Sequence, residues 1–338
     1  MIIVFGGGAM KEKVINWLLE EENPTVRYLT LTDLMGLSEE DREVATAKES
    51  IVNIGVVPAI LDLQNEDGSW GRPERFYTDK YRGTVWNLII LAEMRADPKN
   101  EKVKKACEFI LRNSQESELG GFSYSRSAKT LSGLPSGVIP CLTGNMAYSL
   151  MRLGFFEDDR VQKSIDWICS YQRADDGIIE PPSGKVYERY EACWGRHSCH
   201  MGVAKSLKAL TGIPESRRSK SVKAKIEQLA EYFLIHQIYK KSSDLGKVSK
   251  PGRLKFGFPL MYQTDVLELL EIFAELGIKD HRLEDAIRIV PNKRNNEGLW
   301  KMQNSFNDKI LAAVEEKGKP SKWLTLRALK ILKFYDEL

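Results

Sequence analysis

The sequence is short of most features that would announce a function. No apolar run approaches the roughly 20 residues that a membrane-spanning helix needs. No sign of charge dominates: 50 Lys and Arg stand against 47 Asp and Glu, a net charge of +3 that does not point to nucleic acid. Histidine is scarce, with four residues, and the five cysteines are an odd number without a regular framework of spacings. A disulfide scaffold is therefore not expected. A reducing, cytoplasmic setting is, with metal binding or packing as the use of the thiols. Period-two alternation is missing as well, so no strand is expected.

The opening Met1-Ile2-Ile3-Val4-Phe5-Gly6-Gly7-Gly8 is too short an apolar run for a signal peptide and lacks a basic start. Its glycines do not have the G-x-G-x-x-G spacing of a dinucleotide-binding turn. Residues 1–13 are read as an irregular lead-in, and residues 14–338 as one domain. Within it, residues 205–255 carry thirteen Lys or Arg and four acids. That excess is read as a solvated face, or as a patch for anionic lipid or an acidic partner.

What is present is helical periodicity, punctuated by glycine turns. Helices are expected at about 14–21, 37–50, 51–63, 84–94, 103–113, 145–153, 161–172, 194–210, 221–238, 264–276, 283–290 and 324–334. They alternate in character. One set carries mixed charge, and the other is richer in small and apolar residues. Two concentric rings of helices would bury the second set inside the first. Turns separate the pairs. Gln64-Asn65-Glu66-Asp67-Gly68-Ser69-Trp70 is the clearest. Gln115 precedes Gly120-Gly121-Phe122, Gln172 precedes Asp175-Asp176-Gly177, and Asn295-Asn296-Glu297-Gly298-Leu299-Trp300 closes the series. Lys255-Phe256-Gly257-Phe258 is a fainter echo. The first three glycines lie about 50–60 residues apart, the scale of a helical-hairpin repeat.

Gln64-x3-Gly68-x-Trp70 resembles the core of the QW motif of squalene–hopene cyclases. From about Trp17 to its end the chain resembles the terpenoid cyclase and protein prenyltransferase superfamily. The segment Trp323-Leu324-Thr325-Leu326-Arg327-Ala328-Leu329 resembles a prokaryotic branch with prenyltransferase and squalene-oxidase-type repeats. The resemblance implies an all-α fold, an α/α toroid of about six helical hairpins around a central cavity. It also implies a structural role for Gln64 and Trp70. The acidic D-x-D-D and D-D-x-x-D motifs of the superfamily are absent, as is the D-x-C of the farnesyltransferase β-subunits. Fold alone does not settle chemistry.

Two constellations could carry function. The first is Cys193-Trp194-Gly195-Arg196-His197-Ser198-Cys199-His200. On a continuous helix, Cys193, His197 and His200 would share an arc of about 60°. Thiolate and imidazole suit zinc, and Cys141 is the fourth candidate ligand. Buried packing is the competing reading of the same residues. The second is an aromatic and basic rim at the toroid mouth: Tyr77, Tyr81, Arg82, Trp86, Tyr124, Arg126, Tyr190, Trp194, Tyr262 and Trp323. Aromatic walls and converging helix N-termini suit an isoprenoid diphosphate or another apolar small molecule. Asp265, at a helix start, is the candidate acid or base. The expected function is an enzyme on an isoprenoid-like or other apolar substrate, with zinc as candidate cofactor. The alternative is a non-enzymatic toroid that binds a hydrophobic ligand or a partner protein. A third reading is a catalytic β-like subunit that needs another chain.

Overall fold

The computed structural model describes residues 8–177, 180, 183–184, 186–187 and 191–337. The chain is all-α, as its periodicity requires. Among the described residues the one sheet is a hairpin of Lys240–Lys241 with Asp244–Val248. That hairpin lies in the basic segment, where the sequence suggests only a loop. The chain divides into two compact units.

The first unit holds the described residues up to Asp62, then Gln237–Leu260, then those from Asp265 onward. It opens with α1 (Gly8–Leu18), α2 (Pro24–Leu29), α3 (Arg42–Ser50) and α4 (Val56–Leu61). Several boundaries depart from expectation, α4 among them, which starts at Val56 and not near 51. Helix α1 begins at Gly8, inside the segment read as irregular. Proline at the first position of α2 starts a helix there, since its missing N–H is not needed at that place. The N-cap of α3 is Asp41, whose carboxylate accepts the Glu43 N–H at 2.8 Å, so the helix starts later than the expected 37.

The second unit comprises Leu63–His236 and Met261–Thr264. Its helices are α5 (Thr84–Glu93), α6 (Glu101–Asn113), α7 (Pro140–Leu150), α8 (Asp159–Tyr171), α9 (Glu191–Trp194), α10 (His200–Thr211) and α11 (Lys220–Ile235). Residues 84–92 of α5 are all buried, and so are ten of the eleven residues of α7. Helix α6 buries one stripe, including Val103, Ala106, Cys107 and Ile110. The two expected classes of helix are thus distinguished by burial. Helices α7 and α10 touch backbone to backbone: a Cβ on Gly144 would stand 2.5 Å from the Lys205 carbonyl carbon. Only glycine permits that approach.

The chain then completes the first unit with α12 (Val266–Glu275), α13 (Glu284–Asn292) and α14 (Lys322–Phe334).

The glycine turns share one backbone solution. Gly68, Gly120, Gly177 and Gly298 have φ of 91°, 86°, 82° and 84°. A side chain is strained in that region. At Gly68 it would also collide, because a Cβ would lie 2.5 Å from the Lys105 carbonyl oxygen. The first two turns are stitched to the charged helix after them. Gln64 donates to the Gly68 and Lys102 carbonyls at 3.0 and 2.8 Å, joining the turn to the start of α6. Gln115 donates to the Gly120 and Arg160 carbonyls at 3.0 and 2.5 Å, joining its turn to α8. The aromatic residue after the glycine donates its backbone N–H to a threonine hydroxyl at the start of the following buried helix. The pairs are Trp70–Thr84 at 3.2 Å, Phe122–Thr143 at 2.9 Å and Trp300–Thr325 at 3.1 Å. The side chains of Trp70 and Trp300 are fully buried.

Candidate functional site

The cysteine–histidine segment is not one helix. It ends α9 at Trp194, passes through a loop, and starts α10 at His200. The shared arc for Cys193, His197 and His200 therefore does not exist. Arg173 breaks the helix by donating to the carbonyls of Trp194 and Gly195, the latter at 2.9 Å. Ser198 then pairs with Asp175 twice: its N–H donates to the Asp175 carbonyl at 3.0 Å, and its hydroxyl accepts the Asp175 N–H at 2.9 Å.

The candidate ligands separate accordingly. His197 is exposed and lies with Nδ1 3.5 Å from Asp176 Oδ1. His200 packs edge-on against Phe233, ring centroids 5.0 Å apart. Cys199, then burial, then Cys141 push the Cys193 thiol up. Among the described residues, no group of three or more His, Cys, Asp or Glu side chains is arranged to hold a metal ion. The expected zinc set of Cys193, His197, His200 and Cys141 is not assembled, and no chemical step is assigned to zinc.

The aromatic rim fares differently. Tyr77, Tyr81, Trp86, Tyr124 and Tyr262 come together in the second unit. Ring centroids lie 5.8 Å apart for Tyr77–Trp86, 6.0 Å for Tyr77–Tyr124, 6.0 Å for Tyr77–Tyr262, 5.0 Å for Tyr81–Trp86 and 4.8 Å for Trp86–Tyr262. Local chemistry explains the placement. Arg72 and Arg75 fold their loop onto the Asp79 carboxylate at 3.0 and 2.8 Å. Trp86, in the first turn of α5, donates its indole N–H to the Tyr77 carbonyl at 3.0 Å and pins that loop. Asn145, one turn after Cys141 on α7, reaches the Met261 carbonyl at 3.4 Å and holds the segment that carries Tyr262.

The Tyr262 hydroxyl is sealed from solvent. The Tyr77 hydroxyl and the Asn145 amide stand beside it, and neither completes a well-formed hydrogen bond with it. Burial, then the neighbouring Tyr77 and Cys141, pushes the Tyr262 phenol well up. Burial, then Cys141, pushes Tyr77 up to about 12. Cys141 is itself pushed up to about 12, by burial and then by Cys199. Lys205, only 2% exposed, acts in the opposite direction on Cys141. Tyr77, Tyr262 and Cys141 are held neutral at pH 7. Two non-glycine residues flank the cluster at positive φ, Tyr81 at 67° and Met261 at 50°. Such strain persists where the surroundings hold it, and functional sites are common examples.

The other expected rim residues lie elsewhere. Arg82 is exposed. Arg126 is exposed and donates to the Leu131 carbonyl of its own loop at 3.1 Å. Trp194 belongs to a second aromatic group, 5.9 Å from Trp167 and 5.3 Å from Tyr187. Tyr190 lies outside the described residues. Trp323 is in the first unit, stacked on Phe258 at 3.9 Å and 13°.

Asp265, also in the first unit, is a cap. One oxygen accepts the Glu268 N–H at 2.9 Å and the other accepts the Gly257 N–H at 3.0 Å. Burial pushes its carboxyl up to about 6, against the pull of Arg327 and of those two N–H groups. With both oxygens engaged, it serves the turn at Gly257 and the start of α12.

Sequence reasoning passes over Asn145 and Lys205, and leaves Cys199 out of the candidate ligands. A lysine amid Met201–Leu210, and an asparagine one turn from Cys141, are the available signals. In the sequence His236 looks like an isolated structural histidine. Its Nδ1 faces the Tyr232 carbonyl at 2.5 Å and its Nε2 faces Asp176 at 3.1 Å, so both ring nitrogens meet acceptors.

No family model matches the chain, and no curated protein matches it. Solved structures similar to it include the GH76A α-1,6-mannanase from Salegentibacter sp. HEL1_6. That likeness has 11% identity and a TM-score of 0.46, over 97% of this chain and 97% of that one. Another is a variant of the type II terpene cyclase MstE from Scytonema, in complex with geranylgeranyl dihydroxybenzoate, its substrate. Identity is 13% and TM-score 0.40, over 94% of this chain and 88% of that one. Likenesses at this level carry no argument about chemistry.

Proposed function

We propose that the second unit binds an apolar, isoprenoid-like small molecule against Tyr77, Trp86, Tyr124 and Tyr262, and that the chain acts on it as an enzyme. The observation that carries this reading is the sealed Tyr262 hydroxyl, set among rings and left without a well-formed hydrogen bond. An unpaired buried hydroxyl costs about 1–3 kcal/mol. A bound molecule with one oxygen would complete it while its hydrocarbon body lies on the rings.

Titration with geranylgeraniol and with geranylgeranyl diphosphate, followed by tryptophan fluorescence, tests the binding. Saturable quenching that weakens about tenfold in Tyr262→Phe is expected, the order of one hydrogen bond. No saturable change with either probe would sink the reading. Product analysis by mass spectrometry after incubation tests turnover.

A second reading is favoured by the protonation of the same groups. Phenols and a thiol held neutral suit binding better than proton transfer, which works best near the operating pH. On that ground the alternative is a toroid that holds a hydrophobic ligand without converting it. Saturable binding with no product would select it.

A further inference from the structure

At the Gly298 turn the first unit holds a cavity of about 250 Å³, lined by Phe256, Lys293, Asn295, Trp300, Lys301 and Gln303. None of these residues is acidic. A liquid water takes about 30 Å³, so the space suits several waters or one small molecule. Lys293 is the C-cap of α13. Its ammonium donates to the Gln303 side-chain carbonyl at 2.9 Å and stands 5.0 Å from the centre of the Phe256 ring.

The lining has its acceptors occupied and its donors in excess. Gln303 Oε1 also accepts the Phe256 N–H, at 3.1 Å. Asn295 Oδ1 accepts the Glu297 and Leu299 N–H groups at 3.0 and 2.8 Å. An amide oxygen has two lone pairs, so each of these side chains has its NH₂ group left to offer. The Phe256 carbonyl is also used twice, by the Gln303 and Asn304 N–H groups at 2.9 and 3.0 Å. Trp300 gives its indole N–H to the Val290 carbonyl at 2.7 Å, which leaves its ring as a wall. Lys293 keeps two further N–H donors, and the exposed Lys301 adds a second ammonium.

We propose that this cavity is a binding site for one small oxyanion, a carboxylate or a phosphate, held by Lys293 and by the amide groups of Gln303 and Asn295. The site belongs to the first unit and stands whether or not the Tyr262 cluster binds an apolar molecule.

A structural staple accounts for less of the arrangement. To tie Gln303 in place, a neutral donor would serve as well, without taking a charge out of water. A ring face and an amide oxygen are modest partners for such a charge. Burial pushes the Lys293 amine below its ordinary range, and Asp265 pulls the other way. Asp265 does not line the cavity, and its oxygens accept the Gly257 and Glu268 N–H groups. An oxyanion supplies Lys293 with a counter-charge at hydrogen-bond distance, and its other lone pairs suit the two NH₂ groups. A cation would face two ammonium groups and amide oxygens already in use.

Calorimetric titration of the full chain with inorganic phosphate and, separately, with succinate tests the site at constant ionic strength. One saturable site is expected, and the tighter probe distinguishes a phosphate ligand from a carboxylate. Lys293→Gln should weaken binding about tenfold or more, the order of one charge-assisted hydrogen bond. Gln303→Glu keeps an oxygen for the Phe256 N–H and gives Lys293 a carboxylate, so it should abolish binding without lowering the Tm. The unmodified chain also reports the location. At about ten times its Kd, the anion should slow acetylation of Lys293 about tenfold, mapped by mass spectrometry, and leave the exposed Lys223 unchanged. No saturable binding of either probe, equal competition by chloride, or binding that leaves Lys293 acetylation at its free rate would overturn the proposal. The acetylation map decides this even if a variant folds poorly.

Discussion

The turns at Gly120 and Gly177 begin alike and end differently. Each comes after a glutamine at the end of a helix, and the two glycines have nearly the same φ, 86° and 82°. At the first turn, Gln115 reaches the Arg160 carbonyl and the Ser164 hydroxyl of the next charged helix. At the second, Gln172 donates to its neighbour's carbonyl, on Arg173, and accepts from the Ser206 hydroxyl. The space beside Gly120 is filled by the Lys163 backbone and Cβ. Beside Gly177 it is filled by the His197 ring. One turn is closed by main chain. The other is closed by charged and imidazole side chains: Arg173, Asp175, Asp176, His197 and His236. The same backbone solution can therefore be fixed or adjustable, depending on what stands in front of the glycine.

The largest expected effect comes from pressing on the fixed turn. Gly120→Ala combines a left-handed alanine with a collision against backbone, and should destabilise by about 4 kcal/mol in denaturant unfolding. A loss under about 1 kcal/mol would show that the Lys163 backbone yields easily. Arg173→Leu comes next. It leaves the Asp175 carboxylate buried without its cation and strips a donor from the Trp194 and Gly195 carbonyls. About 3 kcal/mol should be lost. Retention of full stability would mean that the loop before α10 does not depend on this guanidinium. Gly177→Ala should cost less, about 1–2 kcal/mol, because an exposed ring can swing away. If Gly177→Ala equals Gly120→Ala, the contrast between the turns fails.

A third turn, at Gly257, is closed by a carboxylate, and pH should reveal it. The folded-state carboxyl of Asp265 is pushed up to about 6, above its ordinary value of 3.8. The folded state therefore holds this proton more tightly than the unfolded state does. Stability from this group is greatest below its ordinary range and is lost as pH rises through about 6. Unfolding measured between about pH 4 and 6 should show that fall, and Asp265→Asn should flatten it. An unchanged slope in the variant would assign the dependence to other groups. The smallest effect is expected at the aromatic cluster. Tyr262→Phe removes a sealed hydroxyl with no well-formed partner, so stability should stay within about 1 kcal/mol of the parent or rise. A large loss would mean that the hydroxyl is bonded in solution.

Legibility in the sequence divides along the same line. Gly68, Gly120 and Gly298 announce themselves because a glutamine or asparagine a few places before the glycine is a local pattern, even though Lys105 and Lys163 close the first two turns from far along the chain. The buried helices announce themselves by composition, as α5 and α7 show. Helix ends are less legible. Asp41 caps α3 with one carboxylate, and Pro24 starts α2 as a proline at its first position, features that periodicity does not register. The candidate site is legible only in part. Tyr77, Tyr81, Trp86, Tyr124 and Tyr262 gather because loops before buried helices share a neighbourhood. The cysteine–histidine segment misleads because Arg173, some twenty residues earlier, takes the carbonyls that a continuous helix would have used. No local pattern contains that bond.

The bonds from Trp70, Phe122 and Trp300 to threonines in the succeeding helices have a directional consequence. Each turn holds the first residues of the buried helix after it, so loss of order at a turn passes forward along the chain. In hydrogen exchange, a defect at Gly120 should register first at the start of α7, before it reaches the outward-facing part of α6.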